Sequence, residues 1–185
     1  MHIELPILSK IKSRQLEPID LIDRFRGICW SSNIPPEISH KTIVAAKNIL
    51  CKYSSNFFVA TDFAREKSSK GHSFKSCSFG ITISAETKSR QNVCAEKTFI
   101  SYNNSEDFDP EQYGTEIAID LLKTIGARAY TDPFNQSLLI LMMALSEKHV
   151  STLKISELSI EAYFLLNFAV LKNFVRSYSS YQLYL

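Results

Sequence analysis

The order of apolar and polar residues predicts a series of short helices and strands in the first half of the chain. A short amphipathic helix is predicted from Pro18 to about Cys29, and it ends before the breaker "SSNIPPE". Ser39 is a plausible N-cap for a second helix, from His40 to about Cys51. Its apolar residues recur at helical spacing, as Ile43, Ala46 and Leu50.

Two β-branched and aromatic segments follow. "FFVATDFA" (Phe57–Ala64) and "CSFGITISA" (Cys77–Ala85) are separated by polar turn residues and are predicted to form a β-hairpin. A helix is predicted to start near Val93 and to end near Tyr102. The polar stretch "YNNSEDFDPEQYG" is typical of a loop.

The second half of the chain is predicted to contain one strand start, a buried helix and a final strand. "TEIAIDLLKTI" is ambiguous between helix and strand, and the alternation of Ile117 and Ile119 favours a strand start. Asp132-Pro133 is a helix-opening pair, and the helix that follows, Phe134 to about Lys148, is apolar nearly all round, which predicts burial. A strand at about Thr152–Ile155 precedes helical segments that continue to the C-terminus.

This order of elements predicts an α/β protein. Helix, hairpin, helix, strand, helix, strand and helix together indicate a three-layer α/β/α sandwich, with a mixed central sheet flanked by helices. Residues 1–36 are expected to form an N-terminal helical extension, and residues 37–185 the main domain.

The composition narrows the function classes. Apolar residues make up 45% and charged residues 22%, as in ordinary soluble proteins, and a net charge of +2 makes nucleic acid an unexpected partner. The longest apolar run, Leu138–Leu145, is too short to span a membrane. Four cysteines without C-x-x-C spacing, and no signal-like N-terminus, favour free thiols and a cytoplasmic location.

Three segments resemble the cytidine deaminase family. "KYSSNFFVATDF" is similar to the opening strand of those enzymes, and "ITISAETKSRQNVCAEKTFI" to the strand and Cys-Ala-Glu segment that carry their first zinc ligand. "KISELSIEAYFL" is similar to their closing segment, so the resemblance covers roughly residues 40–165. It implies the cytidine deaminase type of sandwich.

The resemblance assigns roles to two residues of "NVCAEKT". In such enzymes a cysteine or histidine at a helix N-terminus binds zinc, and a glutamate two residues later moves the proton of the zinc-activated water. Cys94 would be the zinc ligand and Glu96 the general acid and base. Without zinc, Cys94 is a small buried thiol, and Glu96 stabilises a helix N-terminus through the helix dipole.

The rest of the expected site is missing. Phe134 and Ser137 stand where the family has its two other cysteine ligands, and neither replaces a thiolate at neutral pH. Ile83 and Ala85 stand where the family binds the ribose. Phe57 is the candidate for stacking on the base, or else a core residue.

These departures lead to a pseudoenzyme as the first hypothesis. The chain would be a cytidine deaminase-like protein without zinc or any other cofactor, which serves as a binding subunit in a homo-oligomer (a dimer or tetramer) or pairs with an active paralogue. The alternative is an active zinc-dependent cytidine or nucleotide deaminase with rearranged metal ligands and Glu96 as the proton shuttle. A third hypothesis is a thiol hydrolase, because "GICWSS" around Cys29 is similar to the nucleophile segment of papain-like enzymes.

Overall fold

A computed structural model describes residues 15–64, 77–101, 109–144 and 152–171. The chain divides into two compact units, which we call the sheet unit, Ile19–Arg128, and the terminal unit, Met1–Pro18 with Ala129–Leu185. The predicted boundary between residues 36 and 37 falls inside the sheet unit. The elements of the sheet unit are β2 (Ile22–Ser32), α1 (Pro36–Leu50), β3 (Phe57–Ala64), β4 (Cys77–Thr87), β5 (Asn92–Ser101) and α2 (Pro110–Gly126), and those of the terminal unit are β1 (Gln15–Leu16), α3 (Gln136–Ala144), β6 (Thr152–Leu153) and α4 (Ile160–Leu171).

The four strands of the sheet unit form one mixed sheet in the order β3-β2-β4-β5. β2 runs parallel to β3 and antiparallel to β4, and β4 runs antiparallel to β5. The predicted α/β class with a mixed sheet is therefore confirmed. The predicted hairpin of β3 and β4 is wrong, because β2 lies between these two strands.

β2 corrects the prediction of a helix from Pro18 to Cys29. Phe25, Cys29 and Ser31 are buried at alternate positions, which is the periodicity of a strand with one covered face. The strand also exchanges hydrogen bonds with a neighbour on each side, over most of its length. Pairing with two distant segments outweighs the weak helical pattern of the local sequence.

β5 corrects the prediction of a helix from Val93 to Tyr102. Val93 and Ala95 are buried, whereas Cys94 is half-buried and Glu96 exposed on the other side of the strand. The segment pairs with β4 along its whole length. Cys94 is therefore not at a helix N-terminus, so the helix dipole that would favour its thiolate is missing.

The two helices of the sheet unit start at prolines. α1 begins at Pro36, one turn before the prediction, so Ser39 is a buried residue of the helix and not its N-cap. α2 begins at Pro110, and the Asp109 carboxylate accepts hydrogen bonds from the backbone N–H groups of Glu111 and Gln112. The strand predicted within α2 is wrong, because Ile117 and Leu121, four residues apart, share its buried side.

α1 and α2 pack against each other on one side of the sheet, where α1 contacts β2 and β3 while α2 contacts β4 and β5. They are in close contact at Gly114, where an added Cβ would lie 2.2 Å from the Thr42 carbonyl oxygen. The described part of this unit thus has two layers, and the cytidine deaminase type of three-layer sandwich is not what the sheet unit shows.

The hydrophobic core lies between this helix layer and the sheet. Its largest fully buried side chains come from β2, β4 and the two helices: Phe25, Phe79, Ile81, Ile83, Leu50, Ile117 and Leu121. Burial of side chains of this size supplies most of the stability of a domain.

The terminal unit has a two-stranded parallel sheet, β1 with β6, and two helices in contact, α3 and α4. Asp132 caps a 3-10 turn, Pro133–Asn135, by accepting the backbone N–H of Asn135 at 3.0 Å, and α3 follows at once, which confirms the predicted helix opening. The Gln136 side chain donates to the Glu157 carbonyl (2.8 Å) and accepts from the Ser159 N–H (2.9 Å).

The prediction that the helix after Pro133 is buried all round is wrong. Three large apolar side chains of α3 are exposed: Leu138, Leu141 and Met142. Three of α4 are exposed as well: Ile160, Tyr163 and Phe164. None of the helices within the described ranges is both long and apolar enough to cross a membrane.

Candidate functional site: the open face of the sheet

The side of the sheet opposite α1 and α2 is the most distinctive surface of the sheet unit. We call it the open face. Alternate residues of each strand lie on it, and the strand register places them in rows across the sheet. The central rows are Phe58–Arg26–Ser84–Cys94, Ala60–Ile28–Thr82–Glu96, Asp62–Trp30–Gly80–Thr98 and Ala64–Ser32–Ser78–Ile100.

Large apolar side chains are exposed on the open face. Phe58 and Ile100 expose 61% and 60% of their surface, and Ile28, on the central strand, exposes 44%. Scattered exposed apolar residues are normal on a protein surface, but here they share one face with the aromatic side chain of Trp30. The open face therefore has the mixed apolar and polar character of a recognition surface.

Trp30 forms an aromatic platform in the middle of the sheet. Its indole ring lies against Gly80 of the neighbouring strand, where an added Cβ would be 2.3 to 2.4 Å from three ring atoms. Only a residue without a side chain leaves room for the ring to lie on the backbone. Trp30 is half-buried as a result, and its remaining surface contributes to the open face.

The two arginines of the open face are held by neighbours. Arg24 donates two hydrogen bonds to the Glu86 carboxylate, at 2.7 and 2.8 Å. This bond lowers the pKa of Glu86 and raises the pKa of Arg24, chiefly through the hydrogen bond itself. Arg26 donates to the side-chain oxygen of Asn56 at 2.8 Å and to the Phe25 carbonyl at 2.8 Å. The charge of Arg24 is thus neutralised by Glu86, whereas Arg26 is held by neutral groups and keeps its positive charge.

Two carboxylates of the open face are unpaired within the described ranges. Asp62 lies on β3 and Glu96 on β5, the two outer strands, and both residues are exposed. Neither carboxylate forms a hydrogen bond or an ion pair with another residue of those ranges. These two carboxylates outnumber the one uncompensated guanidinium of the open face, that of Arg26.

The residues predicted for a zinc site are distributed over both units. Cys94 and Glu96 lie on the open face, in the sheet unit, whereas Phe134, in the 3-10 turn, and Ser137, on α3, belong to the terminal unit. Phe134 is 63% exposed, so it does not fill a closed site. The parts of the chain that the structure describes contain no group of three or more His, Cys, Asp or Glu residues that could hold a metal ion.

Phe57 and Cys29 belong to the core side of the sheet. The Phe57 ring packs against that of Phe25, with centroids 6.5 Å apart, so the core interpretation of Phe57 describes its position. Cys29 is fully buried on β2, and burial raises the pKa of its thiol to about 11. A thiol hydrolase needs a reachable thiolate, so Cys29 is not a nucleophile.

The open face went unrecognised in the sequence, although two segments carried the signal. In "DRFRGICWSS" Phe25 and Cys29 are apolar at strand spacing, and "FFVATDFA" is itself predicted to be a strand. Read together as two strands, they put Arg26 beside Phe58 and Trp30 beside Asp62. Assignment of the first segment to a helix concealed this pairing.

Comparison with known proteins now gives the family. A family model described as "RNA 3'-terminal phosphate cyclase (RTC), insert domain" matches residues 20–126, which is nearly the whole sheet unit, Ile19–Arg128. The chain belongs to this family. The match covers more than half of the chain, and its limits agree with a unit defined independently by contacts within the structure.

Curated relatives agree with the family. An "RNA 3'-terminal phosphate cyclase-like protein" of Mus musculus is 30% identical over 154 residues, and so is that of Homo sapiens. Each match covers 83% of this chain and 40% of the relative. An "rRNA processing protein rcl1" of Schizosaccharomyces pombe is 26% identical over 162 residues, which are 85% of this chain and 42% of the relative. The chain thus spans about 40% of the length of these relatives.

The resemblance to cytidine deaminases is wrong. The family match overturns it, and with it the deaminase-like pseudoenzyme, the active deaminase with Glu96 as proton shuttle, and the associated nucleoside-binding and degenerate zinc-site assignments. The physical cause of the error is local. "NVCAEKT" matched a motif whose chemistry requires a helix N-terminus, and in this protein the segment is a strand.

Proposed function

We propose that the chain acts in rRNA processing, as the insert-domain part of an RNA 3'-terminal phosphate cyclase-like protein. The observation that carries the proposal is the family match over residues 20–126, together with a relative that is named as an rRNA processing protein. The proposal replaces the expectation, based on a net charge of +2, that nucleic acid is not a partner. Net charge describes the average of a chain and not the character of one surface.

Within that function, the sheet unit would serve as a binding module. Two features support this role: a closed core between the helices and one side of the sheet, and an open face with exposed apolar and aromatic side chains. A rigid sheet is a suitable base for recognition, because its side chains are held in fixed rows by the register. The relatives' names also suggest a nuclear or nucleolar location, in place of the cytoplasmic one expected from the sequence.

Crosslinking in cells tests the proposal. The tagged chain is expressed, crosslinked to RNA by ultraviolet light and purified under denaturing conditions, and the crosslinked RNA is sequenced. We expect rRNA precursor sequences to be enriched over messenger RNA and mature rRNA, and the tagged chain to be concentrated in the nucleolus. A library without precursor enrichment, from a chain spread evenly through the cytoplasm, would refute the proposal.

The matched control is a chain with its core disrupted. Leu121→Asp places a carboxylate in the fully buried core and should unfold the sheet unit. Enrichment that depends on the folded unit should disappear in this variant, whereas enrichment caused by nonspecific charge should persist.

A further inference from the structure

The open face carries an inference about its partner that goes beyond rRNA processing and does not depend on it. Three observations define the problem. The face exposes Ile28, Phe58 and Ile100 around the Trp30 platform, Arg24 is neutralised by Glu86, and two unpaired carboxylates outnumber the uncompensated charge of Arg26. Each class of ligand meets these groups differently.

Nucleic acid fits this face poorly. RNA binding to a sheet combines aromatic stacking with basic side chains that neutralise phosphates. Trp30 and Phe58 could stack on bases, but Arg24 is neutralised by Glu86, which leaves Arg26 as one uncompensated positive charge against two carboxylates. Asp62 and Glu96 would repel a phosphate backbone. The electrostatic part of RNA binding is therefore unfavourable.

A protein segment with basic and apolar residues fits it well. Lysine or arginine side chains would pair with Asp62 and Glu96, and an apolar side chain would cover Ile28 and Trp30 between them. Opposite charges placed across an interface favour encounter and fix the register of the partner. Exposed apolar area in the centre with charges at the rim is the usual arrangement of protein interfaces.

The spacing of the two carboxylates restricts the segment further. They lie on outer strands, three strand intervals apart and one row out of line, which places their Cα atoms about 16 Å apart at the standard strand spacing. In an extended chain, residues four apart are separated by about 13 Å and point to the same side, and the residue midway points there too. Long basic side chains cover the small remaining difference.

We propose that the open face binds an extended segment of a partner protein in which two basic residues, four positions apart, flank an apolar residue. The segment crosses the strands, with one basic side chain on Asp62, the other on Glu96, and the apolar side chain on Ile28 and Trp30.

Nuclear magnetic resonance of the full chain, labelled with nitrogen-15, tests this proposal with three probes. They are the peptide SKTLTKS, its acidic counterpart SETLTES, and a 12-nucleotide oligouridylate. We expect SKTLTKS to shift the amide signals of Ile28, Trp30 and Glu96 in a saturable manner, and SETLTES to leave them unchanged. No saturable shift with SKTLTKS, or equal shifts with both peptides, would overturn the proposal.

Charge reversal separates protein from RNA. The double variant Asp62→Lys/Glu96→Lys should weaken SKTLTKS binding roughly tenfold or more, because each attraction becomes a repulsion. Asp120→Lys, an exposed change on α2, is the control and should leave the affinity unchanged. If instead the oligouridylate shifts the open face of the unaltered chain, the face is an RNA site and the proposal fails. An amide spectrum that retains the dispersion of the unaltered chain shows that each variant is folded.

Discussion

The sheet unit and the terminal unit use apolar residues in opposite ways. In the sheet unit, α1 and α2 each bury one side against the sheet and leave polar side chains outside, and the fully buried residues include Phe25, Phe79 and Leu121. In the terminal unit, α3 and α4 are apolar nearly all round, yet large side chains such as Leu138 and Phe164 are exposed. A high apolar content alone therefore did not bury these helices. Burial follows where the apolar residues of a helix recur on one side and a sheet covers that side.

The fully buried polar groups sharpen this difference. Gln136 of the terminal unit has no exposed surface. Its side-chain amide donates one hydrogen bond to the loop before α4 and accepts another from it. In the sheet unit, by contrast, the largest buried side chains are apolar. We infer that side-chain packing is the main stabilising term in the sheet unit, whereas specific hydrogen bonds have a larger share in the terminal unit.

The largest expected effect comes from one substitution made in both units. Leu121→Ala removes a fully buried side chain from the core of the sheet unit and should lower the free energy of unfolding by about 2–5 kcal/mol. Leu138→Ala, at a side chain that is half exposed, should cost about 1 kcal/mol or less. Urea denaturation followed by circular dichroism measures both. Equal losses would show that the two units do not differ as described.

The next effect tests the close contact of the two helices. Gly114→Ala places a methyl group against the backbone of α1, so the helices must separate, and we expect a loss of about 1–3 kcal/mol despite the better helix propensity of alanine. Gly126→Ala is the matched control, since nothing lies within 4 Å of the added atom, and it should stabilise the protein by about 0.5–1 kcal/mol. Thermal unfolding measures both variants. A change of stability in the same direction for both would contradict the packing argument.

The hydrogen bonds of Gln136 test the terminal unit. Gln136→Ala leaves the Glu157 carbonyl and the Ser159 N–H without their partner, and we expect a loss of about 1–3 kcal/mol, seen as faster amide hydrogen exchange at the start of α4. Gln112→Ala is the control, because the side chain of this exposed glutamine donates to Glu116 on the surface of α2. It should change stability by less than about 0.5 kcal/mol. Unchanged exchange in the Gln136 variant would remove its assigned role.

The smallest expected effect concerns pH. The bond from Arg24 lowers the pKa of Glu86 below its ordinary value of 4.5, so the folded protein binds a proton at this carboxylate more weakly than the unfolded chain does. The stability that the pair contributes is present above pH 4.5 and is lost as the pH falls through the lowered pKa. The pair is on the surface, so the contribution is small.

Comparison with the Glu86→Gln variant isolates the contribution of the Glu86 charge to stability. The difference in Tm between the unaltered chain and the variant should be largest near pH 7 and should shrink toward pH 3. A difference that stayed constant over this range would mean that the Arg24–Glu86 pair does not contribute through its charge.

The sequence predicted some local features well. Asp132-Pro133 opens a helix as expected, the β-branched segments that start at Phe57 and Cys77 are strands, and α1 covers nearly the predicted residues. Each of these depends on residues close together in the chain: a cap, a proline or a run of strand-forming residues. Asp109-Pro110 carries the same signal as Asp132-Pro133, and that signal is sufficient to predict the start of α2.

The candidate site could be predicted only in part. Cys94 and Glu96 were predicted as site residues, and both lie on the same side of one element. That element is a strand and not a helix, and the chain belongs to a family other than the cytidine deaminases. Trp30, Arg26 and Phe58 were not recognised, because their common position depends on the pairing of β2 with β3, which lie some 30 residues apart. Because Pro18 to Cys29 was assigned the helical period, the residues that β2 places on the open face could not be predicted.

The sequence by itself determined where helices and strands can begin, where the chain must turn, and which segments are apolar enough to be buried. The tertiary structure decided that Ile22–Ser32 and Asn92–Ser101 are strands, that β2 separates β3 from β4, and that one side of the sheet is covered while the other is open. The physical reason is that caps and turns are satisfied within a few residues. Strand hydrogen bonds and the burial of alternate side chains are satisfied only by neighbours that are distant in the chain.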